Sequence, residues 1–279
     1  MIKKIFHLGD LHIPNTWDNK RPYDEMLEKA LLRLEEECQK YDKDEFRIVI
    51  SGDIFCSKVK ISTEANALFA NVLTFLNNIG NTVIIAGNHD MLVNNKSRLD
   101  AITPHFINEA YPNITYLDKV LDYQSGCVVD ENIVWCLYSM FDDFKRPEDI
   151  DNIKEQYPDA KLVALYHGDI VGAKTDVGRM CEDGLPFDSF SNCNCAMLGH
   201  IHKYQEVKKN GIPFVYSGSM LQQNFGENTT GHGFVVWDME SNPMPTHELI
   251  EVTNDYRMFK LVVSSYEDID NDIEKLMNL

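Results

Sequence analysis

The residues of this chain whose types and spacing suit chemistry are the pairs Asp10-x-His12 and His200-x-His202, the lone Asp53, the run Asn88-His89-Asp90, and His167. In extended chain, residues two apart share a face, so each pair presents its two side chains together. One His pair would be no more than two polar residues at the end of a strand. The pattern recurs, however, at Gly9-Asp10, Gly52-Asp53, Gly87-Asn88-His89-Asp90, His167-Gly168-Asp169 and Gly199-His200, each directly after an apolar run. Turn chemistry explains any one of these clusters, but five in succession point to a shared site. Two aspartates and an asparagine mixed with imidazoles suit a borderline divalent metal such as Mn²⁺, Fe²⁺ or Zn²⁺. The donors suffice for two ions, with one carboxylate shared between them.

Something must bring these clusters together. Lys3–Leu8, Phe46–Ile50 and Thr82–Ala86 read as strands, and each ends in a cluster. Between them, Leu27, Ala30, Leu31, Leu34 and Cys38 fall on one face of a helix over 22–41, and Ala65, Leu68, Phe69, Val72, Phe75 and Leu76 on one face of a second from Ser62 to about Asn78. Strands separated by helices pair in parallel, which sends their carboxyl ends, and hence the clusters, to one edge. The second half is richer in strand, with segments expected at Lys119–Asp122, Cys127–Val129, Ile133–Tyr138, Leu162–Tyr166, Cys195–Leu198, Tyr204–Val207, Phe214–Tyr216, Phe234–Asp238 and Thr246–Val252. Two of these again end in clusters, at His167 and at Gly199-His200.

Composition limits the function classes. The chain has 279 residues, 44% apolar and 25% charged, enough for one large domain with an ample core. Its apolar runs are strand-sized, far short of a membrane span, and the apolar stretch at the N-terminus is broken by His7, Gly9 and Asp10 before a signal segment forms. Seven scattered cysteines without a CxxC pair suggest neither a disulfide framework nor a zinc ribbon, so a reducing cytoplasm is expected, that of the host if the source is viral. With 26 basic against 44 acidic residues the net charge is −18, which repels free polyanions at long range. A nucleic-acid role therefore needs local positive charge or a partner. Lys58, Lys60, Lys96, Arg98, Lys174 and Arg179 lie in or near the cluster loops and are candidates for phosphate contact.

The ordered series Asp10-x-His12, Gly52-Asp53, Gly87-Asn88-His89-Asp90, His167 and Gly199-His200-x-His202 resembles the calcineurin-like metallophosphoesterase superfamily over residues 7–202. Within it, Gly52-Asp53-Ile54-Phe55, Tyr216-Ser217-Gly218-Ser219, Gln222-Gln223-Asn224-Phe225-Gly226-Glu227 and His232-Gly233-Phe234 are similar to the SbcD-type DNA repair nucleases, phage members included. The resemblance implies a four-layer α/β/β/α sandwich with two mixed sheets over residues 1–253. Residues 254–279, where Arg257–Ser265 reads as strand and Tyr266–Leu279 as helix, would begin a small α+β capping unit that the chain leaves incomplete. It further implies two divalent ions, Mn²⁺ foremost with Fe²⁺, Zn²⁺ or Mg²⁺ as alternatives. Asp10, His12, Asp53 and His202 would hold one, and Asp53, Asn88, His167 and His200 the other. His89 would protonate the leaving oxygen or orient the phosphate, with Asp90 orienting His89. The implied activity is exonuclease, with endonuclease activity possible, at DNA ends in repair and recombination. The implied assembly is a homodimer with an SbcC-type ABC coiled-coil ATPase.

One position departs from the pattern. Cys56 stands where members of this family have a His or Asp near the phosphate, and it reads as a small apolar filler. The metal motifs by themselves do not select a substrate, which leaves a phosphatase or small-molecule phosphodiesterase as the alternative. A non-catalytic scaffold would show lost ligands, whereas all eight site residues are present. His7 is expected to be satisfied in the core. His105, His232 and His247 are assigned no chemistry.

Overall fold

The computed structural model describes residues 1–18, 20–259 and 273. In chain order the elements are β1 (Lys4–Leu8), α1 (Tyr23–Cys38), β2 (Phe46–Ile50), α2 (Thr63–Ile79), β3 (Thr82–Ile84), β4 (Ile114–Tyr116), α3 (Leu117–Val120), β5 (Gly126–Asp130), β6 (Ile133–Tyr138), α4 (Ile150–Gln156), β7 (Lys161–His167), β8 (Cys195–Gly199), β9 (Gln205–Lys209), β10 (Ile212–Tyr216), β11 (Gly233–Asp238) and β12 (Thr246–Glu251). They form two six-stranded sheets, ordered β12-β11-β1-β2-β3-β4 and β5-β6-β7-β8-β10-β9. In the first sheet β1 to β4 run parallel, with β11 and β12 antiparallel at one edge. In the second, β6, β7, β8 and β10 run parallel and are flanked by antiparallel β5 and β9. Both sheets are mixed, as the family resemblance implies.

The parallel strands are buried on both faces along most of their length, so Phe46–Ile50 shows no polar alternation, and even its Arg47 is buried, with its guanidinium paired to Asp130. One face of the first sheet packs Ile5, Val49, Val83 and Trp237 against Trp135, Leu137, Val163, Leu165 and Met197 of the second, making the inter-sheet core. The other face carries Phe6, Leu8, Ile48 and Ile50 against the apolar stripes of α1 and α2. Beyond the second sheet, Ile150 of α4 and Phe190 cover Ala164, Tyr166, Leu198 and Phe214. The layers are thus helix, sheet, sheet and an outer layer of α4 with irregular chain. Ser62 caps α2, its Oγ accepting from Ala65 N at 3.0 Å, so this helix begins where the sequence places it.

Three expectations differ from the structure. Lys119–Asp122 is not a strand. It is the end of α3 and a turn, because Asp118 is buried and its carboxylate accepts from Ala86 N at 2.9 Å and Ser139 Oγ at 2.6 Å, fixing a bend there. The strand that pairs with β3 is the three-residue β4, too short to carry a period. Helix α4 has no counterpart among the expected elements, since its seven residues span barely two turns and bury only Ile150. The expected capping unit over 254–279 falls largely outside the described residues.

Candidate metal centre

All the expected donors stand at the carboxyl-end rim, and they come from both sheets. Asp10 and His12 follow β1, Asp53 follows β2, Asn88 and His89 follow β3, His167 ends β7, and His200 and His202 follow β8. Three sets bring their ligand atoms within 4.8 Å of one another: Asp10, His12 and His202; His12, Asp53 and His89; and Asp53, His167 and His200. Asp53 lies between the first and last of these, His12 Nε2 being 3.4 Å from its Oδ2 and His167 Nε2 3.3 Å from its Oδ1.

The backbone gives up ordinary geometry to achieve this. Asp10, His12, Asp53 and His200 take φ of 52°, 49°, 51° and 97°, in the left-handed region that side-chain-bearing residues seldom adopt. Strain of this kind costs about 1–3 kcal/mol per residue and persists where the surroundings over-determine it. Two glycines make room. A Cβ on Gly87 would stand 2.2 Å from both the backbone N and Oδ1 of Asp53, and one on Gly52, at φ +96°, would stand 2.6 Å from His167 Nδ1.

Hydrogen bonds fix which ring nitrogen faces inward. His167 donates Nδ1–H to the Ser51 carbonyl at 2.7 Å, and His89 donates Nδ1–H to the Cys56 carbonyl at 2.9 Å. His202 donates Nδ1–H to Glu227 Oε1 at 2.9 Å. Each thereby points Nε2 away from its anchor, with that nitrogen's role set by the other's bond. Asn88 Oδ1 receives His200 Nδ1 at 2.8 Å and lies 3.2 Å from His167 Nε2. Asp10 accepts from His200 N with both oxygens, at 3.0 and 3.1 Å.

The electrostatics follow from burial and from these pairs. Burial pushes the Asp10 carboxyl up to about 7, and neighbouring Asp53 adds to the rise. Burial would raise Asp53 too, but the charge and hydrogen bond of His167 hold it well below the usual carboxylate range. His167 and His202 overcome the opposing effect of burial and are each raised to about 9, the first by Asp53 and the second by Glu227. His12, lowered by burial to about 3, stays neutral.

The donor set suits divalent cations. His12 Nε2 and His202 Nε2 face each other at 2.9 Å, a separation that two lone pairs tolerate only with a proton or a cation between them. In the protein alone, a proton on one of the two Nε2 atoms lies between them. Below their raised values a cation must displace protons from His202 and His167 to bind.

Two expectations need correction. Asp90 does not touch His89. Its buried carboxylate accepts from the backbone N of Ile54 at 2.9 Å, Phe55 at 3.1 Å and Gly87 at 2.9 Å, clamping two cluster loops to each other. Nor does Cys56 serve as a core filler. It is only partly buried, and its carbonyl is what orients His89, a backbone role that no side-chain motif announces. Glu227 carries a role that the motifs did not assign, though it lies in the Gln222–Glu227 segment that carried the finer resemblance. Asp169 was likewise unassigned, and its Oδ1 lies 3.9 Å from His200 Nε2. Of the other histidines, His7 is fully buried, with Nε2 3.0 Å from Ser51 Oγ. His105 and His247 pack edgewise or tilted on Phe69 and Trp237, and His232 contacts Ser219.

Beside the half of the centre formed by His167 and His200 opens a cleft of about 430 Å³, with Phe144, Tyr166 and Leu185 on its walls and Asp169 and Asp183 among its polar lining. Lys58, Lys60, Arg98, Lys174 and Arg179 are exposed, while Lys96 is engaged by Asp143.

Comparison with known proteins agrees with this geometry. The chain is 35% identical over 98% of its length to the uncharacterized protein R555 of Acanthamoeba polyphaga mimivirus, of which it spans 20%. It is 26% identical over 97% of its length to the DNA double-strand break repair protein Mre11 of Nanoarchaeum equitans, covering 73% of it. Against the SbcD component of the nuclease SbcCD of Staphylococcus epidermidis the identity is 24%, with 99% of this chain and 76% of the relative covered. Two solved structures share the fold. One is a putative 5'-nucleotidase from Staphylococcus aureus, with TM-score 0.52, 15% identity and 99% of this chain against 58% of that one. The other is a dimetal phosphatase from Danio rerio, with TM-score 0.51, 11% identity, and 85% and 92% covered. A profile of the calcineurin-like phosphoesterases matches residues 3–204, the span that supplies every donor named above, and the chain belongs to that family.

Proposed function

We propose that the chain is a two-metal-dependent DNA nuclease that hydrolyses phosphodiesters at DNA ends, as an exonuclease and in some contexts an endonuclease. The observation that carries the metal-dependent reading is Asp53, placed between His12 and His167 so that one carboxylate serves both halves of the centre. The choice of DNA is supported by relatives named as Mre11 and as part of the nuclease SbcCD, which align with nearly the whole chain. Two divalent cations, Mn²⁺ foremost, supply Lewis acidity and a nucleophile at neutral pH when bound. Asp10, His12, Asp53 and His202 would hold one, and Asp53, Asn88, His167 and His200 the other.

The rest of the chemistry belongs to the chain. His89 stands edge-on to His12 with ring centroids 4.9 Å apart, its Nδ1–H fixed by the Cys56 carbonyl. Its Nε2 is then the atom left to face substrate. In the protonated ring it delivers a proton to the departing 3′ oxygen, which would otherwise leave as an alkoxide. The exposed lysines and arginines of the cluster loops would meet backbone phosphates.

As in a complex with an SbcC-type ABC coiled-coil ATPase, a partner would offset the chain's net charge of −18. We further propose homodimerisation and work in DNA repair or recombination in a reducing cytoplasm, a host's if the source is viral. Among the described residues no helix is long and apolar enough to cross a membrane.

The test is hydrolysis with added Mn²⁺ of linear duplex DNA, single-stranded DNA and a chromogenic phosphate monoester in parallel. Cleavage of DNA that depends on the metal supports the proposal. Turnover of the monoester with DNA left intact would favour a phosphatase.

A further inference from the structure

The two halves of the centre differ in what lies behind their histidines. His167 rests its Nδ1–H on a neutral backbone carbonyl, that of Ser51, and the carboxylate nearest His200, that of Asp169, stands 3.9 Å away, beyond hydrogen-bond reach and partly exposed. His202 rests its Nδ1–H on a carboxylate, Glu227, whose side chain is only 3% exposed. That carboxylate is itself fully engaged. Oε2 accepts from Gln223 N at 2.8 Å and Ser219 Oγ at 3.3 Å, and Oε1 also accepts from Asn224 Nδ2 at 2.6 Å. The loop is closed further by Gln222 Nε2, which donates to the Glu227 carbonyl at 3.3 Å and to the Met258 carbonyl at 2.9 Å. Glu227 is therefore both the anchor of a ligand imidazole and the hub of the 222–227 loop.

We propose that Glu227 is a positioning residue that makes the half of the centre containing Asp10, His12 and His202 the tighter cation site. This rests on the two-metal reading above. A buried carboxylate behind an imidazole makes the far nitrogen a stronger donor and adds negative charge close to the bound cation, which a backbone carbonyl does not. It also holds the ring in one orientation, with Nδ1–H on Glu227 and Nε2 toward His12, so no ring flip precedes binding. Loss of such a partner typically lowers metal affinity by about 10–100-fold. The effect falls on one ion of the pair, because Glu227 has no hydrogen bond to His167, His200 or Asn88.

The proposal is tested by titrating the metal-stripped protein with Mn²⁺, wild type against Glu227→Gln, and following the free ion by its electron paramagnetic resonance signal. The expected wild-type isotherm has two classes of site. In Glu227→Gln the tighter class should weaken by about 10–100-fold, with the looser class unchanged. Overlapping isotherms, or equal weakening of both classes, would overturn it. A wild-type chain that takes up no ion would defeat both this proposal and the two-metal reading. A second measurement needs no variant: in the Zn²⁺-loaded wild type, imidazole ¹⁵N spectra should show His202 protonated on Nδ1 and ligating through Nε2. The reverse tautomer would overturn the proposal even if Glu227→Gln fails to fold.

Discussion

At the scale of single residues, two neighbours in sequence do unlike work. His89 reaches the centre and Asp90 does not, although the run Asn88-His89-Asp90 presents them as a pair. Replacing His89 with Ala should lower the rate of DNA hydrolysis by about 10²–10⁴-fold while bound metal, counted by elemental analysis, stays at the wild-type level. Loss of an ion along with activity would mean that His89 is a ligand, as its closeness to His12 and Asp53 permits. The donor types were legible in the sequence because carboxylates and imidazoles after successive strands have few other uses. The anchoring of those donors was not legible, since Ser51 and Cys56 act through backbone carbonyls and Glu227 acts across 25 residues of chain.

Another residue-scale effect lies in the core. His7 is fully buried, its Nδ1 has no partner, and burial lowers it to about 3, with His247 contributing. It stays neutral in the fold and takes up a proton on unfolding below about pH 6.5. The unfolded state then binds more protons, so stability is full above that value and is lost as pH falls toward 3. Between pH 7 and 5 this one group should remove about 2 kcal/mol, by the linkage relation. Urea unfolding in chelator should show that loss, and His7→Gln should show correspondingly less of it. An equal loss in the variant would place the acid sensitivity elsewhere.

At the scale of elements, the strands matter mainly for where they stop. Gly87 lies in the loop three residues beyond β3, so close to Asp53 that an added methyl group would stand 2.2 Å from its N and Oδ1. Gly87→Ala should therefore cost about 1–3 kcal/mol or more by overpacking and shift the shared carboxylate. Denaturant titration would read the first effect, and calorimetric metal titration the second. A variant with both unchanged would show the contact to be slack. The β-α-β-α-β order was readable because α1 and α2 carry long apolar stripes and β1 and β2 are short, mostly apolar runs that end directly in Gly-Asp clusters. What escaped were elements too short to carry a period, β4, α3 and α4. That the clusters come from two sheets rather than one edge was not visible in local pattern and entered only through the family resemblance.

At the scale of the whole molecule, charge is the main question. On the proposed function, a chain of net −18 would have to hold a polyanion at a centre with Asp169, Asp183 and Glu227 around it. Bound cations are the largest local charges and act within a Debye length of roughly 8–10 Å. Beyond that distance the protein repels DNA. Binding of duplex DNA by the isolated chain should accordingly be weak, fall steeply with added salt, and vanish on chelation. A coiled-coil ATPase partner should strengthen it. Fluorescence anisotropy across a salt series, with and without chelator, would check this, and tight binding that persists in chelator would speak against it.

The central claim is a pair of cations held side by side through Asp53, and a Mn²⁺-soaked crystal tests it most directly. Anomalous scattering should give two peaks about 3.5–4 Å apart, one beside Asp10 and His202, the other beside His167 and His200, with Asp53 touching both. A single peak, or two peaks with Asp53 bound to neither, would contradict it.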